Sequence, residues 1–207
     1  MASKNDDVIL LAPSEREQAA SVLARAFKND PPTNFIISEG EQTYELWTRL
    51  FAYSVKAGLI HGKAYTTDSV GGVAIWFEPG TKVSVWGQMK LGMWHVPFLL
   101  GYQATRRMAA LVETIEWMHK RHARADHWYL NLLGVDPSAQ GRGVGSALMR
   151  PVLAKADGSG LDCYLETGKE ANLDFYARHG FEVMGERPIP GGGPMMWGLL
   201  RKPGKQE

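Results

Sequence analysis

The chain has 207 residues, 44% of them apolar, and a formal net charge of +1. That supplies one large domain, or a domain with an embellishment, and removes any electrostatic case for nucleic acid or an anionic membrane surface. The opening MASKNDDV has no apolar signal core, no apolar run of about 18 residues occurs, and Cys163 is the single cysteine, so a cytoplasmic chain without membrane span or internal disulfide is expected.

Val8–Leu11 reads as a short apolar strand. Ser14-Glu15-Arg16-Glu17 has the form of a capping box, with Ser14 accepting from the Glu17 N–H while the Glu17 carboxylate reaches back. The helix it opens carries Ala19, Val22, Leu23, Ala26 and Phe27 on one face, and Asn29-Asp30-Pro31-Pro32 stops it. Leu46, Leu50, Tyr53 and Val55 predict a second helix from about Glu41 to Ala57. Ala64–Thr67 and Val70–Phe77 form a hairpin by pattern, with Asp68-Ser69 at the turn. Gly71-Gly72 in its second strand marks a bulge or a close backbone approach.

From Lys82 to Arg124 the pattern is helical, interrupted at Gly92, Pro97 and Gly101. Trp86, Met89, Met93, Trp94, His95, Phe98 and Tyr102 make an aromatic and methionine stripe, a pattern more often core than pocket. Met108–His122 closes the region as an amphipathic helix. Its basic end, His119-Lys120-Arg121-His122, suits the C-terminal dipole and reads as a solvated helix end. Two histidines three apart could bind a metal, but no cysteine or acidic cluster joins them, so no metal site is expected.

His127–Val135 is a strand rich in aromatic and branched residues, ended by Asp136-Pro137. Val144, Leu148, Val152 and Ala156 then recur at helical spacing, with Pro151 implying a kink and Gly158–Gly160 a stop. Leu161–Glu166 alternates, Leu161, Cys163 and Leu165 facing one side and Asp162, Tyr164 and Glu166 the other, which makes Cys163 a buried hydrophobe. Asn172–His179 is a short helix capped at Gly180, and Phe181–Glu186 and Met195–Leu200 are the last strands. No repeat or linker divides the chain.

Between strand and helix lies the sequence Gln140-Gly141-Arg142-Gly143-Val144-Gly145-Ser146. Three glycines remove three β-carbons where the chain turns, and the helix N-terminus behind them adds about half a positive charge. Such a turn cradles an anion, best a phosphate or diphosphate. The Walker pattern fails, because no Gly-Lys-Ser/Thr closes the loop, and the dinucleotide fingerprint half matches, with Ser146 in place of its third glycine.

Gln140-x-x-Gly143-x-Gly145 after Val135-Asp136-Pro137 resembles the acetyl-CoA motif of the GNAT family of N-acetyltransferases. Asn172-x-x-Phe175-Tyr176-x-x-x-Gly180-Phe181 resembles that family's final helix and strand, and the ending through Trp197 and Arg201-Lys202-Pro203-Gly204 is similar to its puromycin-acetylating members. The resemblance implies an α/β GNAT fold over residues 1–207. Its single domain would hold a mixed central sheet of about six to seven strands flanked by helices, with a helical insertion at about 82–124 beside the acceptor site.

The same resemblance assigns the chemistry. Acetyl-CoA is the cosubstrate, its diphosphate on Gln140, Gly141, Arg142, Gly143, Val144, Gly145 and Ser146, and its pantetheine and carbonyl on Leu133, Gly134 and Val135. Asn172 matches a coenzyme-contacting asparagine, although it stands four residues before the tyrosine rather than the more usual seven. Tyr176 matches the tyrosine that protonates the leaving sulfur, or else packs its ring on the coenzyme. Glu166 matches a position used as general base, or else serves as a pocket-wall acceptor, with Tyr129 and Asn131 as reserve relays if the strand alternates. The acceptor implied is a small-molecule amine, such as an aminonucleoside or xenobiotic, handled by a monomer or homodimer. Two alternatives stay open: acetylation of a protein N-terminus or lysine, and a non-catalytic acyl-CoA sensor.

Overall fold

The computed structural model describes residues 7–37, 43–81, 95–123 and 126–204. Short runs of branched and aromatic residues form the strands β1 (Val8–Leu10), β2 (Gly62–Thr67), β3 (Gly72–Phe77), β4 (His127–Val135), β5 (Asp162–Thr167), β6 (Glu182–Pro188) and β7 (Met195–Arg201). They build one seven-stranded sheet of order β1-β2-β3-β4-β5-β7-β6. Only β4 and β5 run parallel; every other neighbour pair is antiparallel.

Helices cover both faces. They are α1 (Arg16–Ala26), α2 (Pro31–Ile36), α3 (Thr43–His61), α4 (Val96–His122), α5 (Val144–Ser159) and α6 (Leu173–Ala177). On one face Ala19, Val22 and Leu23 of α1 and Leu50 and Val55 of α3 join Val73, Ile75 and Phe77 of β3 in a continuous core. On the other, Leu148, Met149, Val152 and Ala156 of α5 meet Ala74, Trp76, Leu130, Cys163 and Leu165. Each fully buried leucine or methionine in these stripes contributes about 1.5–3 kcal/mol. Helix α4 lies on the α1 side over the β6–β7 end, where its Met118 packs with Ile189 and Met196.

Two irregularities of β4 position the site. Opposite Ile75 stands Leu132 but opposite Trp76 stands Leu130, so Asn131 is an extra, bulged residue. The bulge resets the alternation: Trp128, Leu130, Leu133 and Val135 all join the α5 side, while Tyr129 and Leu132 face α1 and α3. Pairing with β5 also stops early, running only from His127↔Asp162 to Leu130↔Leu165. Beyond it β5 keeps β7 as neighbour and β4 keeps β3, so the two parallel strands part into a V.

Several expectations are corrected in detail. The capping contact is Ala12 N–H donating to Glu15 Oε2 at 3.0 Å, before a 3-10 turn Pro13–Glu15, so Ser14 is not the cap. Pro31 does stop α1, but as the first residue of α2, since proline's fixed φ suits a helix start as well as a helix end. Helix α5 continues through Pro151 to a left-handed cap at Gly160. Val70 is not a strand residue; it holds φ +51 in the β2–β3 turn. Gly72 is a close approach: a β-carbon there would lie 2.9 Å from Leu148 Cδ1. In the region 82–124, Trp86, Met89, Met93 and Trp94 lie outside the described residues. Phe98 and Tyr102, read as core or pocket, are 84% and 79% exposed beside the left-handed break at Gly101.

Candidate active site

The V between β4 and β5 opens into a cavity of about 470 Å3. Leu133, Gly134 and Val135 of β4 line it, followed by Gln140, Gly141 and Gly143 of the loop, Val144, Gly145 and Ser146 of α5, and Asn172 and Tyr176. Arg142 is the exception among the loop residues named from sequence. It is exposed and stands outside the lining, because the left-handed glycines on either side turn its side chain outward.

The loop is built as its glycines require. Gly141 holds φ +74 and Gly143 φ +82, and a β-carbon at either would meet no atom within 4 Å. Both positions therefore need glycine for the backbone and leave space a side chain would enter. Gly143 caps α5, and helix geometry leaves the N–H groups of Val144, Gly145 and Ser146 without intrahelical acceptors. Gly145 is a packing glycine: its β-carbon would lie 3.3 Å from the Phe175 ring. Gly134 is another, lying against Leu23, Ala26 and Phe27 of α1.

Two side chains named as ligand contacts make hydrogen bonds within the protein, Gln140 across the loop and Asn172 to the end of β5. Gln140 Nε2 donates to the Val135 carbonyl at 3.0 Å, and Asn172 Nδ2 donates to Thr167 Oγ1 at 3.3 Å. Asp136 accepts from the Ser138 N–H and hydroxyl and from Arg25 Nε at 2.6 Å, tying loop to α1. Ser138, then burial opposed by Arg25, leaves its carboxyl lowered to about 2.

Tyr176, 7% exposed, stands in the cavity wall. Burial, then the charge of Asp30, pushes its phenol well above the usual tyrosine value. Asp30 lines the same cavity at the head of α2. Burial raises its carboxyl to about 6, against the pull of the Thr33 N–H and Lys169. Sequence reading took Asp30 only as part of a helix stop; an aspartate directly before Pro31 was the available signal.

Glu166 is placed differently. It is absent from the cavity lining, and its side chain is 3% exposed. Its Oε2 accepts from Tyr129 Oη at 2.8 Å, while Oε1 is buried with no hydrogen-bond partner among the described residues. Burial pushes the carboxyl up to about 8, with the Tyr129 and Tyr164 hydroxyls pulling it back. Burial, with the charge of Glu166, holds the Tyr129 phenol well above the usual tyrosine value, and Asn131 pulls it back only in part. The ring of His119 stands edge-on to Tyr129 and Tyr164, with centroids 4.7 and 5.1 Å away, and its Nδ1 is 3.8 Å from Glu166 Oε1. His119 is thus no solvated helix end, because α4 lies against β6 and β7 and its last turns set this ring on Tyr129 and Tyr164. Its imidazole is lowered to about 4 by burial and then by His127. Among the described residues no group of three or more His, Cys, Asp or Glu could hold a metal.

A coenzyme A fits this cleft by the observations above: bare left-handed glycines, a helix N-terminus and a strand edge released from its ladder. The model of the acetyltransferase (GNAT) family matches residues 25–181. An uncharacterized N-acetyltransferase of Schizosaccharomyces pombe is 29% identical over 174 residues, 80% of this chain and 70% of that protein. A histone acetyltransferase HPA2 and related acetyltransferase from Corynebacterium glutamicum superposes with a TM-score of 0.71 at 24% identity, covering 97% of each chain. Arylalkylamine N-acetyltransferase 2 of Aedes aegypti reaches 0.66 at 12% identity, over 96% of this chain and 99% of that one. The polyamine N-acetyltransferase of Drosophila melanogaster reaches 0.63 at 14%, over 94% and 98%. At such identities the solved structures speak for the fold, whereas the family match spans the glycine loop, both parting strands and Tyr176. On that match, the chain belongs to the GNAT family of acetyltransferases, which use acetyl-CoA as cosubstrate.

Proposed function

We propose that this enzyme transfers the acetyl group of acetyl-CoA to the amine of a small molecule, a puromycin-like aminonucleoside or similar xenobiotic, by direct attack on the thioester. The observation that carries the reading is that buried Tyr176 and the carboxyl of Asp30 share the wall of the β4–β5 cleft. A carboxylate there, ionised at neutral pH, suits a compact ammonium ion. Two fold relatives are named for small amines, an arylalkylamine and a polyamine.

An alkylammonium with a pKa of about 10 costs about 4 kcal/mol to deprotonate at pH 7, whichever base receives the proton. Asp30 holds the ammonium in place. Glu166, the stronger base once ionised, takes the proton through the Tyr129 hydroxyl, which already donates to it. The N–H groups of Leu133 and Val135, which point away from β3, supply donors toward the carbonyl as its oxygen gains charge, whereas Gly134, in register with Asp136, turns its N–H to β3. Tyr176 then protonates the departing thiolate. Its raised pKa makes that transfer uphill by more than about 2 kcal/mol, small against the barrier of about 16 kcal/mol that a turnover of about 10 per second implies.

The test mixes the protein with acetyl-CoA and puromycin, an arylalkylamine, a polyamine or a lysine peptide, and follows free thiol. Release with one or more small amines and none with the peptide is expected. Release with the peptide alone overturns the reading in favour of protein acetylation; tight coenzyme binding without release overturns it in favour of a sensor.

A further inference from the structure

Acetylation turns an ammonium and a thioester into an amide, a thiol and one proton, and that proton must reach solvent in every cycle. Glu166, taken as its first stable holder in the reading above, has a side chain only 3% exposed. Toward the cleft, Glu166 is set back behind the Tyr129 hydroxyl, the group through which the proton arrives, and is not part of the cavity wall. On its other side the geometry is different.

We propose that His119 of α4 and His127 at the head of β4 form the exit by which the reaction proton leaves Glu166. This inference rests on the assignment of Glu166 as the base. His119 Nδ1 faces Glu166 Oε1, the oxygen without a hydrogen-bond partner among the described residues, at 3.8 Å. On the opposite edge of the ring, His119 Nε2 is 3.0 Å from His127 Nε2. The imidazole stands edge-on to the neighbouring Tyr129 and Tyr164 rings, and 30% of the His119 side chain reaches solvent. The gap at Oε1 exceeds hydrogen-bond reach by about 0.6 Å, a looseness that resting sites commonly show.

The step conserves protons. The carboxylic acid O–H breaks as a bond forms to His119 Nδ1; the His119 Nε2–H breaks as a bond forms to His127 Nε2. The carboxylate is restored, the His127 imidazolium gives its proton to water, and His119 regains its first tautomer by exchange at its exposed edge. A relay of this kind needs a neutral imidazole, one nitrogen bare and one protonated. Burial supplies that condition by holding the His119 pKa down. Of the other charged or titratable groups on this end of α4, His122 stands nearest, over Gly198 opposite Glu166 and beside the Tyr164 hydroxyl. Lys120 pairs with Glu116 on the outer surface, and Arg187 stacks on Trp117.

The experiment compares His119→Gln, His127→Gln and Glu166→Gln with the parent enzyme under saturating substrates, at low buffer, with and without added imidazole. For both histidine variants kcat is expected to fall about 10-fold or more, with both KM values unchanged and most of the loss restored by imidazole. Glu166→Gln is expected to lose activity that imidazole does not restore. Full kcat in both histidine variants, or a loss that imidazole leaves untouched, overturns the exit. Should His119→Gln fail to fold, His127→Gln at the solvent end decides alone by the same criterion. A fully active Glu166→Gln instead overturns the base assignment, and the exit with it.

Discussion

Tyr176 is held protonated by its burial and by Asp30, so its proton is available across the whole working pH range. Tyr176→Phe removes one hydroxyl from an otherwise packed ring. We expect kcat to fall about 100-fold or more while coenzyme affinity changes less than about 2-fold. Equal losses in both, measured by thiol release and calorimetric titration, would make the residue a packing element. Glu166 and His119 carry opposite pH signatures. Between the ordinary carboxylate value of about 4.3 and about 8, the unfolded chain gives up a proton that folded Glu166 keeps, so stability falls as pH rises through that window. Glu166→Gln removes this loss. Its melting temperature should therefore gain on the parent between pH 5 and pH 9, and parallel curves would contradict the buried carboxyl. For His119, held near 4, the unfolded chain gains a proton that the folded one refuses as pH falls below about 6.5, so its cost appears on the acid side.

At the scale of elements, the decisive join is β4, loop and α5. A left-handed residue with a β-branched side chain costs about 1–2 kcal/mol, so Gly143→Val should still fold, with a melting temperature lower by a few degrees. Its side chain would enter the space that Gly143 leaves open, and coenzyme affinity should fall at least about 100-fold by titration. Normal binding in a folded variant would place the diphosphate elsewhere. Most of this join was legible in the sequence. The strand His127–Val135, the turn at Asp136-Pro137 and the glycine spacing are local patterns that neighbours along the chain enforce. The bulge at Asn131 was not, because it exists only in the register against Ile75 and Trp76. The roles of Gln140 and Arg142 escaped likewise: one side chain folds back onto Val135 O, the other turns out between two left-handed glycines.

For the molecule as a whole, the cleft joins elements from distant parts of the chain: α1 and the head of α2, β4, the loop, α5 and α6. A ligand bridging them binds only the assembled state. Coenzyme A at about 100 times its dissociation constant should stabilise by about 2.7 kcal/mol and raise the melting temperature by about 5–10 °C. No shift in a thermal melt under those conditions would mean that the cleft does not bind it.

The sequence by itself determined the elements whose signals are local: the alternation of β5, the stripe of α5 and the glycine-rich turn between β4 and α5. Each follows from backbone sterics and periodicity within a few residues. Only the tertiary structure decided which titratable groups meet. Asp30, read as punctuation, reaches Tyr176 because α2 starts at the mouth of the cleft. His119, read as a solvated end, lies against Glu166 because Met118 and its neighbours press α4 onto the sheet. Burial and proximity between segments dozens of residues apart set those pKa values, and no short-range pattern in a chain encodes them.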